Sequence, residues 1–390
     1  MAGFPRDWTV EPLSRIGDVL MCKRVLKSQT APMGEIPFYK IGTFGKKADA
    51  YIPRELFDSF RKAYSFPKPG DILVSAAGTI GRTVIFDGAD SYFQDSNIVW
   101  LGNDESSVLN SYLYWWYQVV KWTTEDGGIV ARLYNGNFRA TTIAYPDIPE
   151  QRRIADALDS VDKLIDNLSR RIEKKRQVKQ GVMQELLTGK KRLPGFKGEW
   201  TEKSLSAIAT MYSGGTPSSS ESSYYGGGIP WVSIRDITAA GKYLGETEKH
   251  LTQLGLDSCP AKKFPVESIL FAMYASIGKC CIAHVSVASS QAILGIYDLR
   301  GVDLEYLYQV LAFREREFAA MGQTGTQANL SKQIVERIRV LVPSLSEQCA
   351  IAAVLSDMDA EIAKLEAKRD KYIDIKQGMM NDLLTGKVRI

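Results

Sequence analysis

Residues 376–390, KQGMMNDLLTGKVRI, nearly repeat residues 179–193, KQGVMQELLTGKKRL, at an offset of 197. The same offset aligns Glu150-Gln151 with Glu347-Gln348, Ile154-Ala155 with Ile351-Ala352, and GTIG at 78–81 with ASIG at 275–278. Earlier, Trp8-Thr9 answers Trp200-Thr201 at 192, and Ile36-Pro37 answers Ile229-Pro230 at 193. The second copy has therefore gained about five residues before its ASIG. A duplicated sequence folds as two copies of one unit, so any architecture must be built twice. Within each unit one segment is held nearly constant, whereas the rest has diverged widely.

The constant segment has helical spacing. From Glu150, apolar residues fall at Ile154, Leu158, Val161, Ile165, Leu168, Ile172, Val182 and Leu186. The second copy places Ile351, Leu355, Met358, Ile362, Leu365, Tyr372, Met379 and Leu383 in the same frame. Steps alternating four and three draw one apolar seam along a helix. Pro149 and Pro343 stand at the entries, and Gly189 and Gly386 where left-handed caps end helices. About 36 residues at ~1.5 Å each give a rod of roughly 50 Å. Lys175, Lys179, Arg369 and Lys376 interrupt the seam, which costs stability and can fix register. Matching seams predict two helices packed on one another. The matching also extends to polar positions, Lys179-Gln180 with Lys376-Gln377 and Thr188-Gly189-Lys190 with Thr385-Gly386-Lys387. Self-packing asks only for apolar residues, so two equivalent partner-docking surfaces are expected.

The variable segments read differently. Apolar runs bounded by turn residues stand at 70–78, 81–88, 96–102, 268–278 and 292–299, with the length and punctuation of strands. Each half adds one helix, at 107–122 and 303–320. SGGTPSSSESSYYGGG at 213–228 reads as a flexible, turn-rich loop. The expected fold class is α+β. Two similar modules of mixed sheet and helix, 1–149 and 194–345, alternate with two long helices, 150–193 and 346–390. An antiparallel coiled coil would return the second helix along the first, with pseudo-two-fold symmetry between the halves. Two non-identical modules on a fixed spacer suit two different short sites at a set distance. A rod of roughly 50 Å matches about fifteen base pairs of duplex.

Composition narrows the chemistry. At 45% hydrophobic and 24% charged residues the chain is globular. It has no eighteen-residue apolar run for a membrane span, and MAGFPRDWTVEPL lacks a secretory layout. Cys22, Cys259, Cys280, Cys281 and Cys349 show no framework spacing, which points to a reduced, cytoplasmic setting. His250 and His284 stand apart from each other and from any Cys-x-x-Cys pair, against zinc or Cys/His chemistry. The sequence has no phosphate loop and no dinucleotide fingerprint. The net charge, 49 − 45 = +4, permits an acidic partner without requiring one. A binding protein fits better than an enzyme.

The duplicated EQ-x-x-IA openings, the LLTGK endings, IPWVSIRDI at 229–237 and the GTIG and ASIG turns resemble the specificity subunit of a type I restriction–modification system, over essentially the whole chain. The resemblance implies two target-recognition domains, each reading one half of a bipartite site in double-stranded DNA. It implies near-constant helices that dock two methyltransferase subunits, through which restriction subunits join. S-adenosylmethionine, ATP and magnesium would belong to those partners, leaving this chain without catalytic, cofactor or metal residues of its own. Two departures stand out. Gly-Gly-Thr-Pro at 214–217 has only KRVLKSQ near 23–29 as its counterpart, and Gly70-Asp71 becomes Glu267-Ser268.

Residues that read DNA are basic, amide, hydroxyl or aromatic side chains on loops. In the first module these are Lys40, Thr43, Lys46 and Lys47, then Arg132, Tyr134, Asn135, Asn137 and Arg139. In the second they are Ser233 and Arg235, then Gln323, Thr324, Thr326, Gln327, Asn329 and Lys332. Arg82 and Lys279 follow the matching GTIG and ASIG turns, where a basic residue could hold a phosphate. Each also has a plainer reading as a solvated turn residue or a surface charge capping a strand. Trp115 and Trp116 are expected in the core. The basic run 170–179 reads as a solvated helix face, with phosphate or partner contact as the alternative. A competing function is a coiled-coil scaffold presenting two modules to ligands other than DNA. A methyltransferase fused to its reader would need Asn/Asp-Pro-Pro-Tyr/Phe, which the sequence lacks.

Overall fold

The computed structural model describes residues 4–123, 132–322 and 329–390. It divides into two units, residues 1–169 with 367–390, and residues 170–366. The first unit contains β1 (Thr9–Pro12), β2 (Gly17–Leu20), β3 (Ile36–Tyr39), β4 (Tyr51–Ile52), α1 (Arg54–Ala63), β5 (Ile72–Ser75), β6 (Thr83–Ile85), β7 (Tyr92–Phe93), β8 (Ile98–Asn103), α2 (Asn110–Val119), α3 (Asn135–Ala140), β9 (Thr142–Tyr145) and the start of α4 (Ile148–Leu186). Its main sheet has the order β2-β8-β5-β6 and is antiparallel; a smaller sheet has the order β4-β3-β7; β1 pairs with β9.

The apolar runs of the sequence come from a sheet buried on both faces, which needs no polar alternation. Ile72, Val74, Val99 and Leu101 face one core with Tyr112, Trp115 and Trp116 of α2. Leu73, Ile98 and Trp100 point the other way, into a core with Ile36, Phe57 and Tyr92. Both tryptophans of α2 are buried, as the sequence suggested.

The second unit repeats the plan. It contains β10 (Thr201–Ser204), α5 (Leu205–Ile208), β11 (Thr210–Ser213), β12 (Tyr225–Val232), α6 (Ile234–Ala240), β13 (Tyr243–Leu244), β14 (Lys249–Leu251), α7 (Gln253–Asp257), β15 (Ile269–Ala272), β16 (Cys280–Ala283), β17 (Ala288–Ser289), β18 (Ile293–Tyr297), α8 (Leu304–Phe313), α9 (Glu315–Gly322), α10 (Lys332–Arg337), β19 (Arg339–Val342) and the start of α11 (Leu345–Leu383). The order β11-β18-β15-β16-β13 matches the first main sheet with one strand added at its edge, β14-β12-β17 matches the smaller sheet, and β10 pairs with β19. Ile269 and Phe271 again face the opposite core from Leu270 and Ala272.

Two local expectations change. The single helix read over 303–320 is two helices, α8 and α9, meeting at Arg314. The segment 213–228 is a loop only in part: β12 begins at Tyr225, and Gly214 and Gly215 donate to Ile293 O and Ser289 O. A Cβ on Gly214 would lie 2.1 Å from Ser289 O, so these glycines mark a close backbone approach. Lys179 and Lys376, among the matched polar residues, also make contacts inside the chain.

In the first unit, the end of α11 closes the core. Met380, Leu383 and Leu384 pack with Trp8, Leu13, Ile154 and Leu158. Gly386, at φ +71°, lets the chain turn against Trp8. Arg389 then pairs with buried Glu150 and, at 2.9 Å, with Asp7. Lys376 reaches Asp162 at 2.7 Å. In the second unit, the end of α4 does the same work. Met183, Leu186 and Leu187 pack with Leu205, Ile351 and Leu355. Gly189, at φ +70°, lies against Trp200, and Arg192 holds buried Glu347 through two bonds of 2.5 and 2.6 Å. Lys179 reaches Asp359, and Lys175 reaches Glu361 at 2.8 Å. In each unit partner numbers fall on one helix as they rise on the other, so the paired segments are antiparallel. The seam-breaking lysines are answered by carboxylates, and the shared endings have a folding cause that does not require a partner protein.

These pairs are graded by burial. Lys179 is 17% exposed and Lys175 36%. We expect Lys179→Ala to cost about 1 kcal/mol and Lys175→Ala a few tenths, within the range of partly exposed pairs. Urea midpoints of the two variants against the parent check this; midpoints equal to the parent's would mean the seam charges do not contribute.

Candidate nucleic-acid interface

In the first unit four segments meet at one end of the main sheet. Thr43 closes a turn by accepting from Lys40 N at 3.1 Å, while Lys40 Nζ pairs with Asp49 at 2.8 Å. Arg82 donates to Phe44 O at 3.1 Å, which ties the GTIG turn to that loop. Ala77 bridges to Arg132, and Arg132 Nη2 donates to Ser96 O at 2.9 Å. Tyr134 is half exposed, with the Arg132 guanidinium 5.9 Å from its ring centre. Lys46 and Lys47 are exposed on the same loop. Lys40, Thr43, Arg82 and Arg132 are thus brought together, but Arg82 and Arg132 spend donors on carbonyls and serve the loops' shape first.

Arg139 is not part of this cluster. It pairs with Asp18 at 3.4 Å, and Asp18 lies opposite Gly102 near the far end of β8. Ser96 lies in the turn before β8, and at ~3.4 Å per residue Ile98 and Gly102 are already about 14 Å apart along the strand. Residues 135–140 are helix α3 rather than loop. Asn135 opens that helix, and Asn137 donates to Thr123 O at 3.2 Å. Phe138, buried beneath, anchors this turn.

The second unit assembles the equivalent segments. Tyr274 bridges to Asn329 as Ala77 does to Arg132, at the same offset of 197. Ser290 N donates to Val232 O, which seats β12 beside the 289–291 segment. Lys279 follows its turn as Arg82 does, but makes no ion pair among the described residues. Lys332 lies in α10, 3.5 Å from Glu336 and 5.9 Å from the Tyr212 ring centre. Ser233 is a helix cap: its backbone N–H and hydroxyl both donate to Asp236, at 2.8 and 2.6 Å. Burial opposes ionisation of Asp236, yet the Ser233 hydroxyl and the Glu248 and Ser233 amides hold its pKa below the ordinary value. The segment read as a loop at 232–236 therefore starts α6, because Ser-x-x-Asp forms a capping box. Arg235, on its first turn, is exposed and pairs with Glu248 at 3.1 Å. Gln323, Thr324, Thr326 and Gln327 lie outside the described residues.

Sequence reasoning passed over residues 94–97 and 289–291. Gln94 and Gln291 stand at the repeat offset, which was the available signal. Gln94 Oε1 accepts from Ile41 N at 3.0 Å, and Gln291 Oε1 accepts from the Thr216 hydroxyl. Arg24, Lys27, Lys40, Gln94 and Asn97 line one concave surface.

Burial pushes the Cys22 and Cys281 thiols up to about 12 and Cys280 further still, so these thiols pack as apolar groups. Among the described residues no group of His, Cys, Asp and Glu is placed to hold a metal, and no helix is long and apolar enough to cross a membrane.

Residues 5–176 and 197–374 match the type I restriction modification DNA specificity domain. A putative type I restriction enzyme specificity subunit of Haemophilus influenzae is 58% identical over 157 residues, 40% of this chain and 41% of that protein. The match therefore spans less than half the length of that relative. The putative MjaX specificity subunit of Methanocaldococcus jannaschii is 24% identical over 99% of this chain and 95% of that one. In fold, the crystal structure of a type I S subunit from M. genitalium is similar with a TM-score of 0.63, at 14% identity, over 98% of this chain and 97% of that one. A second chain, from work on assembly and conformational transition of a type I system, also gives 0.63, at 15% identity and full coverage of both. The family match falls once on each repeat and takes in most of the sequence, so this chain belongs to the specificity subunits of type I restriction–modification systems.

Proposed function

We propose that each module reads one half of a bipartite site in duplex DNA, that the two long helices set the spacing, and that the chain docks two methyltransferase subunits and, with them, restriction subunits. Methylation and cleavage, with S-adenosylmethionine, ATP and magnesium, are assigned to those partners, in the cytoplasm. The observation that carries the reading is the repeated loop cluster. The same backbone bridge presents Arg132 in one module and Asn329 in the other. A common scaffold with different polar tips is what two different half-sites require, because base edges are told apart by donor and acceptor pattern.

Exchanging residues 1–149 for the module of a relative should change one half-site of the methylated motif and leave the other intact. Adenine methylation mapped across the genome reads this out; a change in both halves would show that the modules do not read independently. Seven residues added to each helix should lengthen the unread spacer by about three base pairs, since the insertion adds ~10 Å. If the purified assembly shows no duplex preference at all, the scaffold reading takes its place.

A further inference from the structure

Gln94 and Gln291 are identical residues at one register of two modules that otherwise differ at their tips. Both use the side-chain carbonyl to hold a neighbouring loop: Ile41 N donates to Gln94 Oε1, and the Thr216 hydroxyl donates to Gln291 Oε1. At Gln94 the orientation is forced, because a backbone N–H can only donate. Gln94 N in turn donates to Tyr39 O at 2.9 Å, so the residue is pinned from both ends. The amide nitrogen of each side chain makes no hydrogen bond among the described residues; Gln94 is partly exposed and Gln291 exposed.

We infer that Gln94 and Gln291 are paired phosphate-backbone clamps, one per module, rather than base readers; the inference rests on the DNA-reading function proposed above. Three arguments converge. With its oxygen already holding a neighbouring loop, each amide is fixed in orientation, and the groups it leaves without a partner are its two N–H donors. A phosphate oxygen only accepts. A residue kept the same in two modules of different specificity suits the part of the ligand that never changes, and in DNA that is the backbone. In the first unit the Gln94 amide also shares its concave surface with Arg24, Lys27, Lys40 and Asp95, where Arg24 pairs with Asp95 and Lys40 with Asp49. Lys27 makes no ion pair among the described residues, which leaves it as the cation that can meet an anion there.

The test uses the full chain assembled with its methyltransferase subunits, titrated with a duplex carrying the methylated motif at several salt concentrations. Gln94→Glu keeps an acceptor for Ile41 N but removes the donor and places a negative charge against the phosphate. Its affinity should fall about tenfold or more, the size of a lost hydrogen bond to a charged group. Gln94→Met and Gln291→Met remove the donor without charge, and each should weaken binding severalfold with the salt slope unchanged. The double variant should multiply the losses, and the mapped methylation motif should keep its sequence. Thermal unfolding of each variant separates a folding defect from lost contact. Affinities within twofold of the parent, or a base changed at one half-site, would overturn the clamp. A parent assembly without duplex preference would instead remove the DNA-reading function itself.

Discussion

A chain cut after residue 375 should lose the fold of its first module and keep that of its second. The cut removes Met380, Leu383 and Leu384, which are 6, 4 and 2% exposed in a core with Trp8, Ile154 and Leu158. A buried Leu→Ala change costs 2–5 kcal/mol by cavity formation, so losing three such side chains approaches the ~5–15 kcal/mol that holds a domain together. Arg389 goes too, leaving buried Glu150 without its cation. The second unit ends at residue 366 and keeps its whole core, closed by Met183, Leu186 and Leu187. Amide exchange followed by mass spectrometry should find peptides of 4–123 unprotected and peptides of 201–322 as slow as in the parent. Equal protection of both would mean the first core closes without the α11 end. Native mass spectrometry of the cut chain with its methyltransferase would separately test docking.

Gln151→Ala and Gln348→Ala should each cost about 3–5 kcal/mol, although neither touches a candidate DNA residue. Gln151 and Gln348 are fully buried. Gln151 accepts from Leu109 N and donates to Ser107 O and Pro146 O, each at 2.8 Å. Gln348 accepts from Asp303 N at 2.8 Å and donates to Gly301 O at 3.3 Å and Pro343 O at 2.9 Å. Each amide stitches the start of a long helix to the loop before the module helix. Alanine strands one buried N–H and two carbonyls, at about 1–3 kcal/mol for each group left unsatisfied. Glu in place of Gln would set a carboxylate against two carbonyls and should be no better. Exposed Arg152 beside it is the control, expected within ~0.5 kcal/mol of the parent. Chemical denaturation measures all three; a loss below 1 kcal/mol for either glutamine would show that water replaces the amide.

The repeat, the two long helices and the central strands were legible because their signals are local and periodic. The four-three spacing became α4 and α11, and the Gly189 and Gly386 caps take the expected left-handed φ. Short edge strands such as β1, β9, β10 and β19 were not legible, since four residues with mixed polarity carry no period and their partners lie over 130 residues away. Helix α1 escaped because its apolar residues, Leu56, Phe57 and Phe60, were too few to suggest a helix at sequence level. Lys179 and Lys376 were visible as faults in the seam, but Asp359 and Asp162 become their answers only once the helices are in register. At the candidate interface the composition of the loops was readable, whereas the hydrogen bonds that occupy Arg82, Arg132 and Ser233 were not. Asn135-Gly136, which reads as a turn, begins a helix because Phe138 has a core to enter.

The exchange of helix ends has a consequence for biosynthesis. Residues 170–366 are contiguous, so a ribosome releases everything the second unit needs in one passage. The first unit is interrupted: its opening 169 residues emerge early, and residues 367–390 follow only after those 197 intervening ones. At roughly 5–20 residues per second that delay is about ten to forty seconds, long beside the microseconds to seconds in which small domains fold. During it, the apolar surface around Trp8, Ile154 and Leu158 awaits its cover. The half made first should therefore mature last, and a nascent-chain chaperone has most to guard at the front of this protein.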